Sequence, residues 1–220
     1  MIFISLGENC LTDDILHRHG VKSFSTPYSP CRSNIDYALA LEFDGYKNFL
    51  NKNHLVLDVA GGKQVVRSSY IRECERIYDP LHMKGFEFTH HDVVNNDKHR
   101  QSFERKVNRL DQIRFKEDIV FFYHHRRNKD TNLDCLREKI EKFLNFYRGD
   151  GNQVFAVLFY QTVNQEECRG VNFLRKNMYF LEFNFMTHAM WGGNNPDLFW
   201  GRVDDDLIKE MMNISKEIIA

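Results

Sequence analysis

A thiol that does chemistry needs a base within reach. This chain offers one cysteine in a suitable setting and several histidines at the ends of apolar runs. Cys10 closes the stretch IFISLGENC, which reads as a buried strand, a glycine break and the start of a helix. A helix N-terminus carries partial positive charge and backbone N–H groups without intrahelical partners. Such a setting favours a thiolate and can hold an oxyanion, with Asn9 or the Cys10 backbone N–H as donor. Asp13 and Asp14 oppose ionisation, so an activated Cys10 needs a cation from elsewhere in the chain. The alternative is a small, buried, inert cysteine.

The histidines follow strand-like runs. Phe86–Thr89 leads to His90, His91 and Asp92, and Ile119–Tyr123 leads to His124, His125 and Arg126. Val154–Tyr160 leads to Gln161 and Asn164, and Met178–Phe185 ends near His188. If these strands run parallel in one sheet, their carboxyl ends share an edge, where ligands of such sheets bind. Three chemistries fit that edge. One is a Cys10–His91 pair, with Asp92, His124 or Asn164 orienting the ring. Strand neighbours point to opposite faces, so only one of His90 and His91 can face Cys10. Another is a metal site from His90 or His91, Asp92, and His124 or His125, although no ligand spacing of a known motif is present. The last is anion binding by Arg126, Arg127 and Lys129, against which stands an ordinary solvated basic loop.

The elements that position these groups alternate. A short helix over Leu11–His19 stops at Gly20, and a connector over Val21–Arg32 is kept irregular by Pro27 and Pro30. Ser33 or Asn34 caps a second helix with Ile35, Ala38, Leu39, Leu41 and Phe43 inward. Gly61-Gly62 predicts a hairpin between His54–Asp58 and Gln64–Tyr70. Arg72–Tyr78 is a short helix or part of an excursion. Helices follow over Lys98–Ile113, Asn132–Tyr147 and Asp204–Ile219. Unbroken apolar strands between helices predict an α/β fold: a mainly parallel sheet with helices on both faces. The expected organisation is one domain over 1–220, with a small excursion at about 54–85.

The chain has 220 residues, a formal charge of −1 and a pI near 6.8, which disfavours a general nucleic-acid or membrane-surface binder. Nineteen phenylalanines and nine tyrosines suit a packed core and an aromatic-lined site. Five cysteines without CxxC spacing argue against a disulfide framework and for a reducing compartment. Cys31, between Pro30 and Arg32, has the pattern of a reactive exposed thiol, whereas Cys74, Cys135 and Cys168 sit in polar surroundings. No signal peptide and no membrane span are expected, so the reading is cytoplasmic.

Ser5, Leu6, Gly7, Asn9 and Cys10, then His91 and Asp92, then Phe103, Arg105, Arg109 and Leu110 resemble a bacterial and viral family labelled "putative papain-like cysteine peptidases". The resemblance covers roughly the first 125 residues well. The family's connector carries an aspartate and a tryptophan where this chain has Pro27-Tyr28-Ser29-Pro30. The resemblance implies Cys10 as nucleophile and His91 as base. It also implies a papain-like α+β fold as the alternative to the parallel sheet.

The leading expectation is therefore a cysteine-dependent hydrolase or acyl-transfer enzyme using Cys10, His91, Asp92 and Asn9. His90, His124, His125 and Arg126 would bind substrate. The substrate would be a small molecule, a peptide or a glycan; the resemblance adds a role accessory to surface-polysaccharide pathways. No metal, cofactor or nucleic-acid partner is expected, and the sequence fixes no oligomeric state. One alternative is a nucleotide-sugar or glycan transferase that depends on Arg126 or His125. The other is a non-catalytic binding domain with Cys10 buried.

Overall fold

The computed structural model describes residues 1–219. In chain order the elements are β1 (Ile2–Ser5), α1 (Cys10–Arg18), α2 (Ile35–Asp44), β2 (Leu55–Ala60), β3 (Lys63–Ser68), β4 (Glu87–Phe88) and α3 (Asp97–Ile113). Then come β5 (Ile119–His125), α4 (Leu133–Leu144), β6 (Val154–Val163), β7 (Gly170–Asn177), β8 (Phe180–Thr187) and α5 (Asp205–Ile219).

Five strands form the main sheet in the order β1-β5-β6-β8-β7. The first four run parallel, and β7 is antiparallel to β8 at the edge. All seven residues of β5 are buried, as a strand covered on both faces requires. Its residues alternate between two cores. Phe121 and Tyr123 join residues of α2 and α4 such as Tyr37, Leu41, Ile140 and Phe143. Val120 and Phe122 pack with Leu11, Ile15 and Leu16 of α1 and with Ile208 and Met211 of α5. The fold is α/β, with helices on both faces of a mainly parallel sheet. The helix that carries Cys10 thus lies on parallel strands.

Asparagines set the helix starts. Asn34, Asn96 and Asn132 accept from first-turn N–H groups of α2, α3 and α4. Gly45 ends α2 in the left-handed region at φ 57°. Phe43, expected inward, is 74% exposed and rests edge-on against Phe146. Phe43 lies off the α2 stripe of Ile35, Ala38 and Leu41.

The second sheet is antiparallel, in the order β2-β3-β4. Gly61 and Gly62, at φ 57° and 76°, make the two-residue turn between β2 and β3. Here the expectation of one common edge is corrected. The strand before His90 belongs to this smaller sheet, pairing with β3 on one side and with Arg32 on the other. Both partners of this two-residue strand are antiparallel, so it cannot serve the parallel sheet. The stretch 72–78 contains no helix. The antiparallel edge strand β7 has no counterpart in the sequence reading. Among the described residues, no helix is long and apolar enough to cross a membrane.

Candidate active site

The turn that presents Cys10 is built by close approach. Leu6 N–H donates to Phe122 O at 2.9 Å, and Thr26 Oγ1 donates to Ser5 O at 2.8 Å, holding the end of β1. Gly7 follows because a Cβ there would lie 2.4 Å from Thr12 Oγ1 and 3.0 Å from Thr12 Cβ. Asn9 then caps α1, accepting from Leu11 N–H at 2.9 Å. Cys10 is the first helical residue and is half-buried. Burial and then Asp13 push its thiol up to about 11, with a further push from Asp14, against the opposing pull of Arg32 and its own backbone N–H. At neutral pH the group is therefore a thiol, as the two aspartates foretold.

Arg32, the cation beside Cys10, is held by an ionic row across the smaller sheet. Its Nη1 lies 3.4 Å from Glu87 Oε1, and Glu87 Oε2 accepts from Arg67 Nε at 2.9 Å and Nη2 at 2.6 Å. Arg67 Nη1 in turn pairs with Asp58. Thr89 Oγ1 donates to Glu87 Oε1 at 3.1 Å. Cys31 corrects its expectation: it is 0% exposed, and burial raises its pKa. A local Pro-Cys-Arg pattern does not reveal that the residue faces the core. Cys168 is the exposed cysteine, while Cys135 donates to Glu75 and Cys74 pairs with the Tyr37 hydroxyl.

His91 is half-buried, with its ring against His99 at 5.0 Å and Phe103 at 5.3 Å. Its Nδ1 is buried without a hydrogen-bond partner. Burial pulls its pKa down to about 4, helped by Lys106, His99 and His90. His90, His91 and His99 line a cleft of about 350 Å³. Asp92 does not orient the ring. Its carboxylate accepts from the N–H groups of Val94 and Asn95 and from the Asn95 amide, closing the turn before α3. Lys106, with Nζ 4.1 Å from the Phe103 ring centre, acts electrostatically on His91 and also on Cys31 and Asp13. Among the described residues, no hydrogen bond joins Cys10 to an imidazole.

Sequence reasoning missed Glu8. Its carboxylate is fully buried between two histidines: His82 Nδ1 is 2.8 Å from Oε2 and His125 Nδ1 is 2.7 Å from Oε1. Tyr123 Oη donates to Oε1 at 2.8 Å and Arg126 N–H to Oε2 at 3.2 Å. Burial pushes this carboxyl up, but His125 and His82 override it and hold it well below the usual carboxylate range. Nothing in the local sequence marks it, because its partners come from distant parts of the chain.

The other expected residues separate. His125 Nε2 pairs with Thr131 Oγ1 at 3.0 Å, which engages both ring nitrogens. His124 points to the opposite face, 2% exposed between Phe159 and Trp191, with neither nitrogen partnered. Burial lowers its pKa to about 3. Arg126 pairs with Asp79 at 3.1 Å, and Arg127 donates to Thr162 at 2.9 Å. Gln161 ties Thr187, Ala189 and Trp191 together, and His188 is exposed. Among the described residues, no group of three or more histidine, cysteine or carboxylate side chains is placed to hold a metal ion.

Residues 1–162 match the model of a family described as "Putative papain-like cysteine peptidase (DUF1796)". No curated protein and no solved structure matches the chain.

Proposed function

This chain belongs to that peptidase family, and from this premise we propose that it is a hydrolase in which Cys10 is the nucleophile and His91 the general base. The observation that carries the reading is what the two groups lack. Among the described residues, no other residue hydrogen-bonds to the Cys10 sulfur and His91 Nδ1 is buried without a partner, while the polar groups around Glu8 and Glu87 are engaged. With the thiol near 11 and the imidazole near 4, both are neutral at rest. The base therefore works during attack, as neutral imidazole can, with no preformed ion pair needed. As the Cys10 sulfur bonds to a carbonyl carbon, its proton passes to His91, and the carbonyl oxygen takes the negative charge. The Cys10 backbone N–H and Arg32 stabilise that oxygen. Collapse expels the leaving group, which takes the proton from His91, and water then releases the acyl group from sulfur.

A second reading keeps Cys10 and moves the base. Glu8 holds His82 Nδ1 in the way a carboxylate orients a catalytic imidazole, and among the described residues none bonds to His82 Nε2. The two readings separate in a screen of peptide and acyl-ester substrates. Under the first, Cys10→Ala and His91→Ala both lose turnover, and the acid limb of kcat/KM falls near pH 4. Retained turnover in His91→Ala with loss in His82→Ala moves the base to His82. Full turnover in Cys10→Ala removes both. A role in surface-polysaccharide metabolism remains part of this proposal, and acylated glycans belong in the screen.

A further inference from the structure

The connection from β3 to β4, residues 69–86, is long for a compact domain and contains only the 3₁₀ turn Pro80–His82. Connections of this length without regular structure are commonly binding loops or disordered. This one is pinned to the core. Tyr37 Oη donates to Arg72 O at 3.2 Å and accepts from Gly85 N–H at 3.0 Å. Glu75 N–H donates to Asp36 at 2.9 Å, and Glu75 also pairs with Lys139 at 2.9 Å. Ile71, Ile77, Tyr78 and Phe86 are buried beneath it.

What the pinned loop presents is positive charge. It covers a cleft of about 580 Å³ lined by Arg67, Arg72, Arg76 and Lys84 against two carboxylates, Asp58 and Glu73. Arg67 forms the floor, 8% exposed, and is neutralised by Glu87 and Asp58. Arg76 and Lys84 are exposed and make no ion pair among the described residues. Arg72 reaches only Glu73, at 3.9 Å, and that carboxylate's side chain is 96% exposed. A chain with net charge −1 thus gathers three weakly compensated cations over a buried guanidinium. Cations held in a concave site focus potential and attract oxyanions, for which the planar guanidinium is suited.

We propose that this cleft binds a small polyanion, one with at least two adjacent oxyanion groups, through Arg72, Arg76 and Lys84. The oxyanions are phosphates or carboxylates, and the site stands independently of the chemistry at Cys10. Titration calorimetry of the full chain at low ionic strength, with pyrophosphate in one arm and citrate in the other, tests it. At least one anion saturates, and affinity falls as sodium chloride is added. The triple variant Arg72→Gln/Arg76→Gln/Lys84→Gln, confirmed as folded by circular dichroism, binds about tenfold or more weakly; losing charged contacts to an anion has this scale. Cys10→Ala binds as the wild type does, so the cleft can fail while the thiol reading stands, and the reverse. Tighter pyrophosphate binding assigns the site to phosphates and tighter citrate binding to carboxylates. No saturation with either anion at millimolar concentration, or an undiminished triple variant, overturns the proposal.

Discussion

The polar groups around Glu8, and the Cys10 thiol and His91 imidazole proposed above to work together, are built on opposite plans. Around Glu8, both carboxylate oxygens have donors, two imidazoles are fixed by their Nδ1 atoms, and the whole is sealed. Among the described residues, His91 Nδ1 has no hydrogen-bond partner and no other residue bonds to the Cys10 sulfur, and both residues sit half open to solvent. A buried network with every member satisfied specifies a structure. A buried nitrogen left without a partner costs stability and persists where something else requires it. Cys10 lies two positions after Glu8, with Asn9 between, so the buried network can set the position of the thiol.

The largest expected effect separates the two plans. His91→Ala lowers kcat/KM by about 10²- to 10⁴-fold, the usual contribution of a general base, with little change in melting temperature. A large fall in melting temperature with modest kinetic loss would place His91 on the structural side. Glu8→Gln does the reverse. It removes the charge shared by His82 and His125 and costs about 3–5 kcal/mol in denaturant unfolding. Because the folded carboxyl titrates far below its unfolded value of about 4.3, its stabilisation is complete above that pH and fades as pH falls. The Glu8→Gln variant should therefore lose less stability than the wild type on acidification below about pH 4.

A smaller effect probes the thiol alone. Iodoacetamide alkylation of Cys10, read by mass spectrometry, is slow at pH 7 and rises about tenfold per pH unit towards pH 10, as a group titrating near 11 requires. Exposed Cys168 labels faster at pH 7, and Cys31 stays unlabelled in the folded chain. Fast labelling of Cys10 at pH 7 would mean a thiolate at rest and an ion-pair mechanism.

The smallest effect concerns His124. Between pH 6.5 and about 3 the unfolded chain binds a proton at this residue that the folded chain refuses. Stability therefore falls as pH drops below 6.5, and His124→Phe makes the decline of melting temperature between pH 7 and 5 shallower. An unchanged slope would show that the ring gains a partner in solution.

The parallel sheet was legible because Ile119–Tyr123 and Val154–Tyr160 are apolar without alternation, which only a strand covered on both faces tolerates. The hairpin was legible because two consecutive glycines supply two positive φ values. Membership of the smaller sheet was not legible for β4. Two residues carry no periodicity, and the bridge from Arg32 to Glu87 spans 55 positions that local pattern cannot see. Nor was β7, an edge strand that needs only one covered face and carries Asn172 and Asn177 among its apolar residues. The place of Cys10 at the start of α1 and the opposing aspartates beside it were readable from the pattern of the first helix. Glu8 was not, because its partners come from positions 82, 123, 125 and 126, and a buried carboxylate looks in sequence like any other glutamate.

Gly7 leaves no margin. Its single hydrogen faces the Thr12 side chain where any other amino acid would place a carbon. Even alanine would force the Thr12 side chain, in the first turn of the helix that carries Cys10, to give way. Position 7 therefore acts as a spacer whose thickness is already at its minimum, and variation in this stretch can only widen the gap.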